Sequence, residues 1–203
     1  LVRLGWSHGD QEFFTRSEMI AAFDVSNVNK AASAFNPEKL LWLNQQHLMR
    51  AESVEVVPHL RRALARIGIA CEDDQRLARV VVMQRERCKT LKEMAQNSAF
   101  FFVDAVAIDP KSAQKHLGGD STGLLRAARA ALAALTGWEV PMINAALAEL
   151  AVAEGLGLGK IAQPLRVAVS GGTVSPPIDA TLALLGREQV LQRVDKVLAA
   201  ASA

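Results

Sequence analysis

Thr122-Gly123-Leu124-Leu125-Arg126-Ala127-Ala128-Arg129-Ala130-Ala131-Leu132-Ala133-Ala134-Leu135-Thr136 is the stretch whose reading decides the fold class. Leu124, Leu125, Ala128, Ala131, Leu132 and Leu135 recur at the three- and four-residue spacing that gathers side chains on one face of a helix. Upstream of it, Asp109-Pro110 reads as a helix cap and first turn, and Gly118-Gly119 as the stop. Downstream, Pro141 opens a helix carrying Met142, Ile143, Ala146, Leu147 and Leu150, which Gly155 ends. The final periodic stretch places Val190, Leu191, Val194, Val197 and Leu198 on one side.

The same spacing holds towards the start. Pro58 is expected as the first residue of a helix in which Leu60, Ala63, Leu64 and Ile67 recur until Gly68. Asp73 or Asp74 caps the next, where Leu77, Val81 and Cys88 share a stripe with Gln84 between them. Thr90 and Glu93 have capping-box spacing, each side chain able to satisfy a free amide at a helix start. Val80–Val82 could be read as a strand, but its neighbours keep helical spacing, and no run of alternating residues argues for a sheet. The expectation is an all-α chain of successive helical bundles. The charged stretch Arg50–Glu55 and the pair Gly137–Trp138 are candidate boundaries, dividing the chain at 1–52, 53–137 and 138–203. There is no internal repeat or low-complexity tract.

The 203 residues are 50% hydrophobic and 22% charged, an ordinary globular composition able to bury a core. No apolar run approaches the ~20 residues that span a bilayer. Leu1–Asp10 lacks the basic-then-apolar pattern of a signal peptide and, opening without methionine, reads as a cut end of something longer. A formal charge of +2 leaves nucleic-acid attraction to a local patch. Cys71 and Cys88 suit a reducing cytosol, and neither has a histidine at zinc-ligand spacing, so no metal site is expected.

Catalytic motifs fail on inspection. Gly155-Leu156-Gly157-Leu158-Gly159-Lys160 superficially suggests a phosphate loop, but Glu154 stands where the first glycine belongs and Ile161 where a serine or threonine would meet the metal. It reads as a turn between helices. His8, His47, His59 and His116 are scattered without a nucleophile partner, and Asp73-Asp74 is explained by capping. No catalytic residue is assigned.

Several segments, in order, resemble the bacterial-type glutamyl-tRNA synthetase family. They are Leu4-Gly5-Trp6-Ser7 with Gly9-Asp10, Phe35-Asn36-Pro37-Glu38-Lys39-Leu40-Leu41-Trp42-Leu43-Asn44, and Arg87-Cys88-Lys89-Thr90-Leu91-Lys92-Glu93. Towards the end follow Gly159-Lys160, Gln163-Pro164-Leu165-Arg166-Val167-Ala168, Ser170-Gly171, Ser175-Pro176 and Leu184-Leu185-Gly186-Arg187-Glu188. Neither Ser7-His8-Gly9-Asp10 nor Lys89-Thr90-Leu91-Lys92 is the family's HIGH-type or lysine-loop motif, so the resemblance implies a region without the catalytic fold. It further implies a stem-contact segment over 1–52 and two helical anticodon-binding subdomains. The parent enzyme implied is cytoplasmic and joins glutamate to tRNA(Glu) using ATP and Mg²⁺, cofactors this region would not hold. The partners implied are tRNA(Glu) and the catalytic domain of the same polypeptide, not DNA or a membrane.

By the same resemblance, Arg87 sits where an arginine reads the third anticodon base, and the rest of the pocket falls near Ser175 and Ile178, with Arg166 bonding the loop or forming a salt bridge. Pro177 replaces a common family glycine there. The chemistry suits this: cytosine, which ends glutamate anticodons, offers acceptors, whereas guanine, which ends glutamine anticodons, presents mainly donors to a donor-only guanidinium. Arg61, Arg62 and Arg66, then Arg76, Arg79, Arg85, Arg87, Lys89 and Lys92, form a basic cluster, and Arg76, Arg79, Arg85, Lys89 and Lys160 are candidate RNA-backbone contacts. On a continuous helix Arg76 and Arg87 would lie ~20° apart. Trp6, Trp42 and Trp138 read as core residues rather than base-stacking platforms. Two other readings stand beside this one: the anticodon-binding domain of class I lysyl-tRNA synthetase, and an all-α protein-interaction scaffold.

Overall fold

A computed structural model describes residues 5–30 and 34–201, so Leu1 and Leu4 of the opening segments lie outside the described residues. Among the described residues there are eleven α-helices and no strand, the all-α class expected.

The first part, up to Arg50, is thin. Thr15 caps α1 (Arg16–Ala22), with Glu18 reaching back to the Thr15 amide, and a 3₁₀ turn (Val25–Asn27) follows. Asn36 and Pro37 then start α2 (Pro37–Arg50). Trp6 and Phe14 are buried against each other with ring centroids 5.6 Å apart, as expected for Trp6. Trp42 departs from its expected core place and is 40% exposed, together with Phe35, Leu40 and Leu41. In α2 only Leu48 is buried, because one side of the helix has nothing packed on it among the described residues.

The next group is α3 (Ser53–Ala65), α4 (Asp74–Gln84) and α5 (Leu91–Ser98), with a 3₁₀ turn at Ala99–Phe101. The α3 helix starts five residues before Pro58, not at it. Val56 and Val57 are buried with Leu60 and Leu64, and that burial extends the helix backwards through the proline. The carbonyl Pro58 leaves unpaired in the ladder is that of Val54, which is 70% exposed and open to water. Asp73 is the α4 cap, accepting from the Arg76 amide at 2.9 Å, and Val80–Val82 is helical. Thr90 caps α5 as its spacing indicates, but Glu93 bonds the Lys89 amide at 2.8 Å, one residue beyond the box geometry.

The last group comprises α6 (Pro110–His116), α7 (Asp120–Ala133), α8 (Val140–Ala153), α9 (Leu158–Ser170), α10 (Ile178–Leu185) and α11 (Arg187–Ala200). The expected turn over the glycine tract is shorter than its motif, since Gly159 and Lys160 already belong to α9. That helix is the hub, packing against α6, α7, α8, α10 and α11. Its Ile161, Ala162, Leu165, Val167, Ala168 and Val169 are buried, while Lys160, Gln163, Arg166 and Ser170 recur at helical spacing on a narrower, more accessible side. Pro164 is tolerated inside it because the carbonyl set free belongs to exposed Lys160. Gly171 ends α9 at φ 83°, and a Cβ there would press into the Ala107 carbonyl oxygen.

One continuous core joins both groups through Phe100 and Phe101. Arg193 of α11, 2% exposed, fastens the joint: its guanidinium donates to the carbonyls of Phe100 at 2.9 Å and of Val103 and Val169. Across Gly137–Trp138, α7 and α8 pack on each other, and Trp138 Nε1 donates to the Leu182 carbonyl at 3.0 Å.

Candidate nucleic-acid interface

The Arg85–Thr90 loop between α4 and α5 is held at several points. Buried Cys88 anchors it to the core, with Asn97 Nδ2 3.6 Å from its sulfur, and burial pushes the thiol pKa up. From α2, Gln45 Nε2 donates to the Glu86 carbonyl at 2.9 Å and Asn44 Nδ2 to the Lys89 carbonyl at 2.6 Å. The Arg87 amide closes a turn on the Gln84 carbonyl at 2.9 Å. The backbone of Arg87 is therefore fixed, while its exposed guanidinium has no hydrogen bond or ion pair among the described residues. Asn44 lies within a segment quoted for the family resemblance, yet its part in holding this loop has no signal in sequence, because the two are 45 residues apart.

Near Arg87, on α9, is Arg166. Its pKa is held below the ordinary value by burial first and by the nearby Arg87 cation second. Arg166 Nη1 donates to Ser175 Oγ at 3.0 Å, the Ser175 carbonyl at 3.2 Å and the Pro176 carbonyl at 3.3 Å. These bonds tie Arg166 to the chain's own 175–176 loop, and it has no ion pair among the described residues. Its Nε is enclosed without a partner, so positive charge is concentrated here without a carboxylate to cancel it.

Ser175 and Ile178 arrive at the same place, each 6% exposed, where the loop after α9 turns into α10. The Ser175 hydroxyl is already engaged: it donates to the Pro176 carbonyl at 2.9 Å, accepts from Arg166, and lies 3.4 Å from Thr181 Oγ1. Pro177 is exposed at φ −46°, a value proline adopts freely.

The candidate backbone contacts do not converge. Arg76 is turned inward: Nη2 donates to the Phe101 carbonyl at 2.5 Å and the guanidinium lies 5.8 Å from the Phe102 ring centroid. The angular match to Arg87 fails because α4 ends at Gln84 and Arg76 sits at its opposite end. Arg79 is exposed on the rim of an apolar groove of about 690 Å³ formed with Val82, Met83, Trp138, Val140 and Leu184. Arg85 is half-buried, whereas Lys89 and Lys160 are exposed, Lys160 in the first turn of α9.

Residues 46–198 match the family described as Anticodon binding domain. Over 98% of its length the chain is 50% identical to glutamate–tRNA ligase 1 of Alkalilimnicola ehrlichii, covering 42% of that protein. It is 52% identical to glutamate–tRNA ligase 1 of Acidithiobacillus ferrooxidans, covering 98% of this chain and 43% of the relative. The solved glutamate tRNA ligase from Elizabethkingia meningosepticum, in complex with its amino acid, superposes with a TM-score of 0.86 at 28% identity, over 97% of this chain and 39% of that one. The chain thus spans about two fifths of the length of the relatives it matches. With the all-α fold these similarities place it: the chain belongs to the anticodon-binding domain family, and represents the anticodon-binding region of glutamate–tRNA ligases.

Proposed function

We propose that this chain binds tRNA(Glu) by its anticodon loop, with Arg87 facing the third anticodon base. The observation that carries the reading is the Arg87 guanidinium, without a side-chain partner among the described residues and set on a loop tied down from α2, near a second, half-buried arginine. A donor-only group on a rigid mount favours the acceptors of cytosine and leaves guanine's donors unpaired, a mismatch of roughly 1–3 kcal/mol. Arg166 shapes the Ser175–Ile178 wall of the pocket through the loop carbonyls, and Ser175 acts through that loop rather than through a free hydroxyl. Lys89, Lys160, Arg79 and Arg85 supply diffuse attraction to the RNA backbone, while Arg76, engaged with Phe101, takes no part.

The segment up to residue 52 contacts the tRNA stem, and residues 53–203 hold the anticodon. Within the latter, the packing of α7 on α8, α9 and α11 favours a seam in the 103–109 loop over one at 137. The longer polypeptide attaches glutamate to tRNA(Glu) with ATP and Mg²⁺ in the cytoplasm, its catalytic residues lying in another domain. Exposed Phe35, Leu40, Leu41 and Trp42 form a face for that domain to cover.

Binding of tRNA(Glu), and of the same tRNA with guanine at the third anticodon position, tests the reading. Arg87→Gln, able to donate and accept, should weaken the first complex and narrow the ratio between the two by about ten- to a hundredfold. An unchanged ratio refutes the assignment of Arg87.

A further inference from the structure

A pocket of about 500 Å³ lies between the end of α3 and the start of α5, and neither Arg87 nor Arg166 lines it. Ala63, Ile67 and Leu91 form its apolar floor, and His59, Arg62, Arg66 and Lys92 its rim. Among the described residues no carboxylate lines it. The contrast along α3 is informative. Arg61, next to Arg62, donates to the Cys71 carbonyl at 3.0 Å and is ion-paired with Asp74, whereas Arg66 and Lys92 have no side-chain partner among the described residues. The acid beside Lys92, Glu93, is turned back to the Lys89 amide. Arg62 Nη2 donates to His59 Nδ1 at 2.8 Å, which orients the guanidinium without neutralising it and places the ring proton on Nε2.

We propose that this pocket is a sugar–phosphate subsite for the RNA backbone, separate from the pocket that reads bases; it rests on the reading of this chain as a tRNA binder. The pocket is larger than an inorganic phosphate needs, and it combines an apolar floor with a cationic rim, matching a ribose joined to a phosphodiester. The free amides at the start of α5 add a favourable partial charge beside Lys92. Arg87 and Lys92 are five residues apart, so their backbones are separated by at most about 18 Å, a span of a few nucleotides. One strand can therefore meet both sites. In sequence Arg62, Arg66 and Lys92 are only members of a basic cluster, and they meet His59 around one pocket when α3 and α5 pack.

The test uses the whole 203-residue chain with tRNA(Glu), measured across a salt series, for wild type and the Arg66→Ala/Lys92→Ala double variant. Both altered side chains are exposed, and a thermal melt verifies that folding is retained. The expected result is binding about tenfold weaker, a log–log salt slope less negative by about 1, and an unchanged cytosine-to-guanine ratio at the third anticodon position. An affinity and slope equal to wild type overturns the subsite while leaving Arg87's role intact. A wild type that fails to bind tRNA at all refutes the underlying reading instead. Inorganic phosphate titrated at constant ionic strength separates the two sources of the ligand. Displacement of RNA at sub-millimolar phosphate reassigns the pocket to a free anion and overturns the proposal; absence of such displacement supports an RNA ligand.

Discussion

Replacing Arg193 by methionine tests how the two helical groups are held together. The guanidinium is 2% exposed and donates to the carbonyls of Phe100, Val103 and Val169, which belong to the 3₁₀ turn, the following loop and α9. A hydrogen bond to a charged group contributes about 1.5–3 kcal/mol, so three amount to about 5–9 kcal/mol of lost pairing. Removing the cation from its buried place returns several kcal/mol of desolvation, and methionine fills much of the volume. The net expectation is a loss of about 2–4 kcal/mol, since the acceptors stay behind without donors. Urea unfolding should show a lower midpoint at unchanged slope. The Arg193 pKa is pushed down to about 10, by burial first and by the Arg76 cation second, with Asp104 opposing. Because the folded value is the lower one, the unfolded chain binds more protons only above about pH 10. Below that both states hold the proton, so the loss should be equal at about pH 6 and about pH 9. A variant as stable as wild type would mean that the three carbonyls need no cation, and the reasoning would fail.

Two further substitutions probe the framework. Gly171→Ala, at φ 83° and against the Ala107 carbonyl, should cost about 2–3 kcal/mol by urea titration, from left-handed strain plus the displaced 107–109 strap. Asp109→Ala removes the α6 cap, whose carboxylate accepts from the Ser112 hydroxyl at 2.6 Å and amide at 2.8 Å and is held below the usual carboxylate range by those bonds. The stability this cap adds is present above the unfolded-state value and lost as pH falls through the folded one, so the melting-temperature gap to wild type should close in acid below about pH 4.

Local rules that act within a few residues are legible in the chain itself. The Asp73, Thr90 and Asp109 caps, the α7, α8 and α11 stripes and the absence of alternation each depend on neighbours less than two turns away. The order of the quoted segments carries the family, and it is that resemblance, not local pattern, that singles out Arg87, Arg166, Ser175 and Ile178. What local pattern misses is burial from several sides. The α9 helix, packed upon by five others, opens within a glycine tract and carries Pro164, so breaker residues obscure a spacing that is otherwise helical, and α3 begins before Pro58 because long-range packing of Val56 and Val57 outweighs a local signal.

Charge pairing likewise belongs to the folded chain. By charge and residue type alone, Arg61, Arg62, Arg66, Arg76 and Arg87 look equivalent in the sequence. Folding pairs Arg61 with Asp74, turns Arg76 onto the Phe101 carbonyl, and leaves Arg87 and Arg66 facing outwards. Helical periodicity is written residue by residue, whereas the partner of a long flexible side chain is set by which distant segment the core brings beside it.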